Sequence, residues 1–161
     1  MGIVKKVVHV FANISYILIL IYAMICAPMI FGYKPLVVLS GSMEPSIKTG
    51  SVIYYSKVSE DALKVGDIVT FKTNSKSDFI THRINKIENG KYETKGDANK
   101  TPDLETITFS NIVGKDLNIS IPYIGYYIRF VNNNLYLIVI IVILLILEYV
   151  FTNILDKKKG E

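Results

Sequence analysis

The chain has a single cysteine among its 161 residues, so it can close no disulfide within itself. That cysteine, Cys26, falls in an apolar run and reads as a helix-packing residue. With one cysteine and two histidines there is no His/Cys cluster at metal-ligand spacing, and no glycine-rich loop of the kind that cradles phosphate. The sequence therefore calls for no metal, nucleotide or other cofactor. Charge is missing just as selectively, for no formally charged residue lies between Lys6 and Lys34. A net charge of +4 owes much to five lysines near the ends, Lys5, Lys6, Lys157, Lys158 and Lys159, and not to a basic face. Nucleic acid is excluded as a partner on that ground.

What fills the charge-free stretch is Val, Ile, Leu, Phe, Ala, Met and Tyr over residues 10–31, enough at about 1.5 Å per residue to cross a hydrocarbon core of about 30 Å. The run is too long for the apolar part of a signal peptide and ends without a small-x-small cleavage site, so it reads as a retained anchor. A second apolar run, residues 135–147, continues past Glu148 and gives a second span over residues 134–155. Glu148 is read as lying near the cytosolic end, where it reaches the interface or stays protonated, in preference to a functional intramembrane carboxyl. Lysines before the first run and after the second put residues 1–9 and 156–161 in the cytosol, and residues 32–131 outside a plasma membrane crossed twice. Between Lys34 and Val131 lie 13 of the 18 Lys and Arg and 11 of the 14 Asp and Glu, a net of +2, which does not oppose export of so long a segment.

The exported stretch is long enough for one domain. Residues 52–55, 68–71, 79–87, 91–94, 106–109 and 112–121 read as strands, and Asn89-Gly90 between two of them signals a tight hairpin. The fold expected is mostly β. Gly50 and Gly66 read as turn glycines, and Asp67 as structural. Ile121-Pro122-Tyr123-Ile124-Gly125-Tyr126-Tyr127-Ile128 reads either as a core strand or as a contact with lipid headgroups.

Three polar features stand out in this domain. Ser40-Gly41-Ser42-Met43-Glu44-Pro45 lies a few residues beyond the first span, where Gly41 leaves room for a substrate backbone and Pro45 shapes the loop. A serine hydroxyl needs a nearby base to become a nucleophile. His82 is the one histidine of the exported stretch, and strand periodicity puts it on the same face as Ile80 and Ile84, where partial burial disfavours the charged imidazole. Lys95-Gly96-Asp97-Ala98-Asn99-Lys100-Thr101-Pro102-Asp103 supplies two acids, either of which could accept from the imidazole and fix its tautomer.

Taken in order, Ser42, Gly66-Asp67-Ile68-Val69, Thr81-His82-Arg83-Ile84 and the stretch from Gly96 to Asp103 resemble the successive sequence boxes of type I signal peptidases. The likeness is to the endoplasmic-reticulum-like branch, also found in archaea and Gram-positive bacteria, in which a His stands where the usual bacterial branch has Lys. It implies a signal peptidase/LexA-type protease fold and removal of signal peptides from preproteins leaving the translocon. By the same resemblance Ser42 is the nucleophile, His82 the base and Asp103 the orienting acid, with Asp97 its support or replacement. The Ser42 N–H and the Ser40 hydroxyl are implied as oxyanion-hole donors. A LexA-like self-cleaving regulator and a catalytically idle scaffold that binds secretory proteins are the alternative readings.

Overall fold

The computed structural model describes residues 3–73 and 79–157, without the side chains of 3–5 and 151–157. Lys158 and Lys159, on which part of the charge argument rests, lie outside the described residues. Two compact units are present, Cys26–Ile128 and a helical unit of Met1–Ile25 with Arg129–Glu161.

The first unit is built on one antiparallel sheet. Its strands are β1 (Lys34–Val37), β2 (Val52–Ser56), β3 (Ile68–Phe71), β4 (Ile80–Glu88), β5 (Lys91–Lys95), β6 (Ile107–Thr108) and β7 (Ile112–Ile121). Their spatial order is β1-β2-β7-β3-β4-β5-β6. The expected hairpin joins β4 to β5, and Asn89 and Gly90 both take the positive φ that its turn requires, 50° and 72°. Period-two alternation along β3 sends Val69 and Phe71 to one apolar cluster and Ile68 to another. The first cluster gathers Ile84, Tyr92 and Ile107; the second gathers Met43, Ile47 and Ile53. β2 and β3 are buried along nearly their whole length, which is why both read as continuous apolar runs.

The stretch after β7 departs from the sequence reading. Residues 122–128 do not form a core strand, because a helix, α2, runs over Ile124–Asn133. Pro122 has no N–H to continue the ladder, and Tyr123 takes a φ of 65° that turns the chain out of the sheet. Gly125 then donates its N–H to the Gly50 carbonyl at 2.9 Å, and a Cβ there would stand 2.7 Å from that oxygen.

In the helical unit, α1 spans Ile3–Cys26, and a 3-10 turn carries the chain on through Phe31. Residues Lys6–Phe31 are long and apolar enough to cross a membrane. A further helix, α3 (Leu135–Lys157), meets the same test among the described residues only together with α2, across a break bent by 85°. Two polar contacts tie the N-terminal helix to the later ones. His9 Nδ1 lies 3.1 Å from Glu148 Oε1, and the Tyr22 hydroxyl donates to Asn132 Oδ1 at 3.0 Å. Glu148 is therefore paired with His9 across the unit.

One buried carboxyl in the sheet is poorly supported. Asp116 on β7 is 3% exposed; its Oδ1 accepts the Asn118 N–H at 2.6 Å, while Oδ2 meets no donor among the described residues. Burial pushes its pKa up to about 6 from the ordinary 3.8. The folded state thus binds this proton more tightly than the unfolded chain. The associated stability is fully present below about pH 4 and is lost as the pH rises through about 6. Asp116→Asn should therefore gain on the parent between pH 4 and pH 7 by about 2 kcal/mol. Melting temperatures of both proteins across that range measure the gain, and a pH-independent difference would remove Asp116 as the titrating group.

Candidate active site

Ser42 lies in the loop between β1 and β2, and that loop is fixed from three sides. Beneath it, Met43 is 1% exposed and packs with Ile47, Ile53 and Ile68, so an apolar anchor immediately follows the hydroxyl. Across it, Glu44 Oε1 accepts from the Thr49 hydroxyl at 2.9 Å and from the Thr49 N–H at 3.2 Å. These bonds hold the Glu44 carboxyl below its usual range, the backbone N–H contributing most. Behind it, the Ala98 N–H donates to the Ser42 carbonyl at 2.9 Å. A Cβ on Gly96 would stand 2.6 Å from that same carbonyl oxygen, so only glycine lets the 96–99 turn come this close.

His82 lies on β4, 8% exposed, opposite Val69 in the β3–β4 register and in T-shaped contact with the Phe71 ring. It shares its face with Ile80 and Ile84, as strand alternation predicts. Its Nε2 lies 3.1 Å from Ser42 Oγ and its Nδ1 lies 2.7 Å from Asp103 Oδ2. The two ring nitrogens thus face a hydroxyl on one side and a carboxylate on the other. Ser40 Oγ stands 3.2 Å from Ser42 Oγ, in contact with the hydroxyl itself.

The two acids of the 96–103 loop, which the residues alone left as alternatives, have different surroundings. Asp103 faces His82. Asp97 instead takes two parallel bonds from Arg83, Nε to Oδ1 at 2.9 Å and Nη2 to Oδ2 at 2.7 Å, while Arg83 Nη1 reaches the Gly66 carbonyl at 2.8 Å. The guanidinium bonds hold the Asp97 carboxyl below the ordinary range, with a smaller contribution from Ser46. Asp67 is tied to Lys115 Nζ at 2.8 Å and to the Lys64 N–H at 2.9 Å, as a structural carboxylate would be.

Sequence reasoning missed Arg83, Thr94 and Ala98. Arg83 carried a signal, since the neighbour of a strand residue points to the opposite face and so serves a different partner. Thr94 and Ala98 carried none: Thr94 meets Asp103 across a loop without periodicity, and Ala98 meets Ser42 in a segment far away in the chain.

A cavity of about 560 Å³ opens beside Ser42, walled by Leu36, Val38, Met43, Ile80 and His82. A second, of about 440 Å³, lies beyond His82 against Asp103 and Leu104.

Serine, imidazole and carboxylate are joined here in the order in which serine hydrolases join them. Residues 10–95, more than half the chain, match the family described as signal peptidase, peptidase S26, and the chain belongs to that family. The matched stretch takes in Ser42 and His82 and ends before Asp97 and Asp103. Among similar proteins, the human signal peptidase complex catalytic subunit SEC11C is 42% identical over 72 residues, which cover 42% of this chain and 38% of that protein. Signal peptidase I W of Bacillus subtilis (strain 168) is 34% identical over 100 residues, covering 59% of this chain and 52% of that protein. The human putative signal peptidase complex catalytic subunit SEC11B is 34% identical over 104 residues, covering 57% and 62%. The chain thus spans less than two thirds of the length of these relatives.

The different partners of the two acids predict different mutant behaviour. Asp103→Asn should keep the melting temperature and lose activity by about 10⁴ in kcat, the scale on which a wrong imidazole tautomer acts. Asp97→Asn should lower the melting temperature and activity together, because it loosens the turn behind Ser42. Melting curves and turnover of purified variants on one preprotein check this, and the reverse pattern would exchange the two roles.

Proposed function

We propose that this chain is a membrane-bound serine endopeptidase that removes N-terminal signal peptides from exported preproteins. The observation that carries the reading is the relay Ser42 Oγ, His82 Nε2, His82 Nδ1, Asp103 Oδ2, with consecutive gaps of 3.1 and 2.7 Å outside the ring, opening onto an apolar cavity. Family membership supports the same substrate class.

In this mechanism His82, neutral and with its proton on Nδ1, accepts the Ser42 proton at Nε2 as Oγ attacks the scissile carbonyl. Asp103 fixes that tautomer and stabilises the imidazolium that forms. The Ser42 N–H and the Ser40 hydroxyl donate to the developing oxyanion, a contribution of about 3 kcal/mol per donor in comparable sites. His82 then returns the proton to the leaving amine, and water hydrolyses the acyl-enzyme by the reverse sequence. The substrate lies extended along residues 36–40, with small P1 and P3 side chains against the apolar wall of the cavity. No step calls on a metal or organic cofactor.

The proposed setting is a plasma membrane crossed twice, with residues 32–131 outside and both ends cytosolic, beside the translocon that delivers the substrates. The His9–Glu148 contact supports a pairing of the two spans, since polar groups on membrane helices seek one another.

Ser42→Ala and His82→Ala should each lower preprotein cleavage in detergent–lipid micelles by about 10³-fold or more, and the double variant should be little worse than either single one. Near-normal turnover by His82→Ala would reject His82 as the base. A serine-reactive probe should label the parent at Ser42 and leave Ser42→Ala untouched. For the topology, protease added to intact spheroplasts should digest the 32–131 segment and spare tags at both ends. Loss of either tag without lysis would overturn the orientation.

A further inference from the structure

The carboxylate that faces His82 has a second partner, and that partner belongs to the sheet. Thr94 on β5 is 0% exposed, and its Oγ1 donates to Asp103 Oδ2 at 2.6 Å. Oδ2 is the same oxygen that lies 2.7 Å from His82 Nδ1. The Thr94 carbonyl also accepts the Asp103 N–H at 2.8 Å. One residue thus grips Asp103 by its main chain and by its side chain.

The direction of the hydroxyl bond is fixed, because an ionised carboxylate only accepts. Its length is that of a charge-assisted O–H···O⁻ bond. Asp103 needs such a hold. It stands in a loop without regular structure, next to Leu104, which is fully exposed, and its own side chain is 23% exposed. Left to itself a carboxylate there would turn towards water. Thr94 is well suited to prevent this. It is β-branched and buried, so its rotamer is restricted, and it lies opposite Ile84, two residues from His82 along the adjoining strand. Donor and imidazole are therefore held by one strand pair.

We propose that Thr94 is a positioning residue of the relay, holding Asp103 Oδ2 at His82 Nδ1. The assignment rests on the hydrolytic reading given above. Thr94 touches neither substrate nor reacting atoms, and it acts through Asp103 alone. When its hydroxyl is removed, Asp103 swings away, the imidazole loses both the partner that fixes its tautomer and the anion that favours its charged form, and the base becomes weaker.

Thr94→Val removes the hydroxyl at nearly constant shape. It should lower kcat by about 10- to 100-fold with little change in KM, the scale of one buried bond to a charged group. The acid limb of the kcat profile should move to lower pH, because the imidazolium has lost its anion. Thr94→Ser, which keeps the hydroxyl, should restore both kcat and the limb. In an Asp103→Asn background Thr94→Val should cost little more, since the bond it breaks has already lost its charge. A downfield proton resonance from His82 Nδ1–H in the resting parent should vanish in Thr94→Val and return in Thr94→Ser; this readout needs no substrate. The proposal is overturned by Thr94→Val with kcat within about twofold of the parent. It is equally overturned by a loss that tracks the melting temperature while pH limb and resonance stay in place. Should Thr94→Val not fold, Thr94→Ser with an unrestored limb or resonance decides against it. A parent that neither cleaves preprotein nor labels at Ser42 would instead reject the hydrolytic reading, and the resonance would still report on Thr94.

Discussion

The Arg83–Asp97 ion pair is the contact on which the geometry of the site turns. Adjacent side chains of a strand point to opposite faces. His82 takes one face and meets Ser42 and Asp103, while Arg83 takes the other and holds Asp97 with two parallel bonds. Asp97 starts the turn whose Ala98 N–H supports the Ser42 carbonyl. A shift of the β4 register by one residue would exchange the two faces, so the β3–β4 pairing fixes both arms at once. Guanidinium and carboxylate are both partly buried, which makes removal of one partner more costly than the pair's own net contribution.

The sheet was legible where the pattern was local. β3 and β7 follow from runs of β-branched and aromatic residues, and the β4–β5 hairpin from Asn89-Gly90. The exposure of His82 follows from Ile80 and Ile84 on either side of it. β1 escaped because Lys34 and Pro35 open it, whereas β6 falls within the strand expected over residues 106–109 and is two residues long. α2 was hidden by its composition, for Ile, Tyr and Phe favour strands, and only Pro122 and the turn at Tyr123 mark where the ladder ends. The division of labour between Asp97 and Asp103 had no local signal in a loop without periodicity. It depends on which strand each acid meets, and that is a property of the fold.

In the helical unit the sequence marked the polar exceptions but not their partners. Glu148 and His9 are 139 positions apart, and Glu148 alone looked like a residue reaching for the interface. Their contact at 3.1 Å gives each a partner within an apolar surrounding. Tyr22 and Asn132 form a second such contact, 13 residues along α1, which at about 1.5 Å per residue is about 20 Å away. The two contacts reach two different helices, Glu148 on α3 and Asn132 on α2, so α1 has one polar partner on each.

The short distance between Ser40 Oγ and Ser42 Oγ gives the relay a polarity. Each hydroxyl has a single proton. With His82 neutral, Ser40 gives its proton to Ser42 Oγ, Ser42 gives its own to Nε2, and every bond runs towards the imidazole. Once Nε2 is protonated it must donate, so Ser42 Oγ accepts from it and turns its proton to Ser40. The row of hydroxyls then runs the other way, and Ser40 is left with its proton free for a new acceptor in the cleft. On the roles proposed for Ser42 and Ser40, one protonation event both disarms the nucleophile and arms the neighbouring donor, as a two-position proton switch built from three side chains.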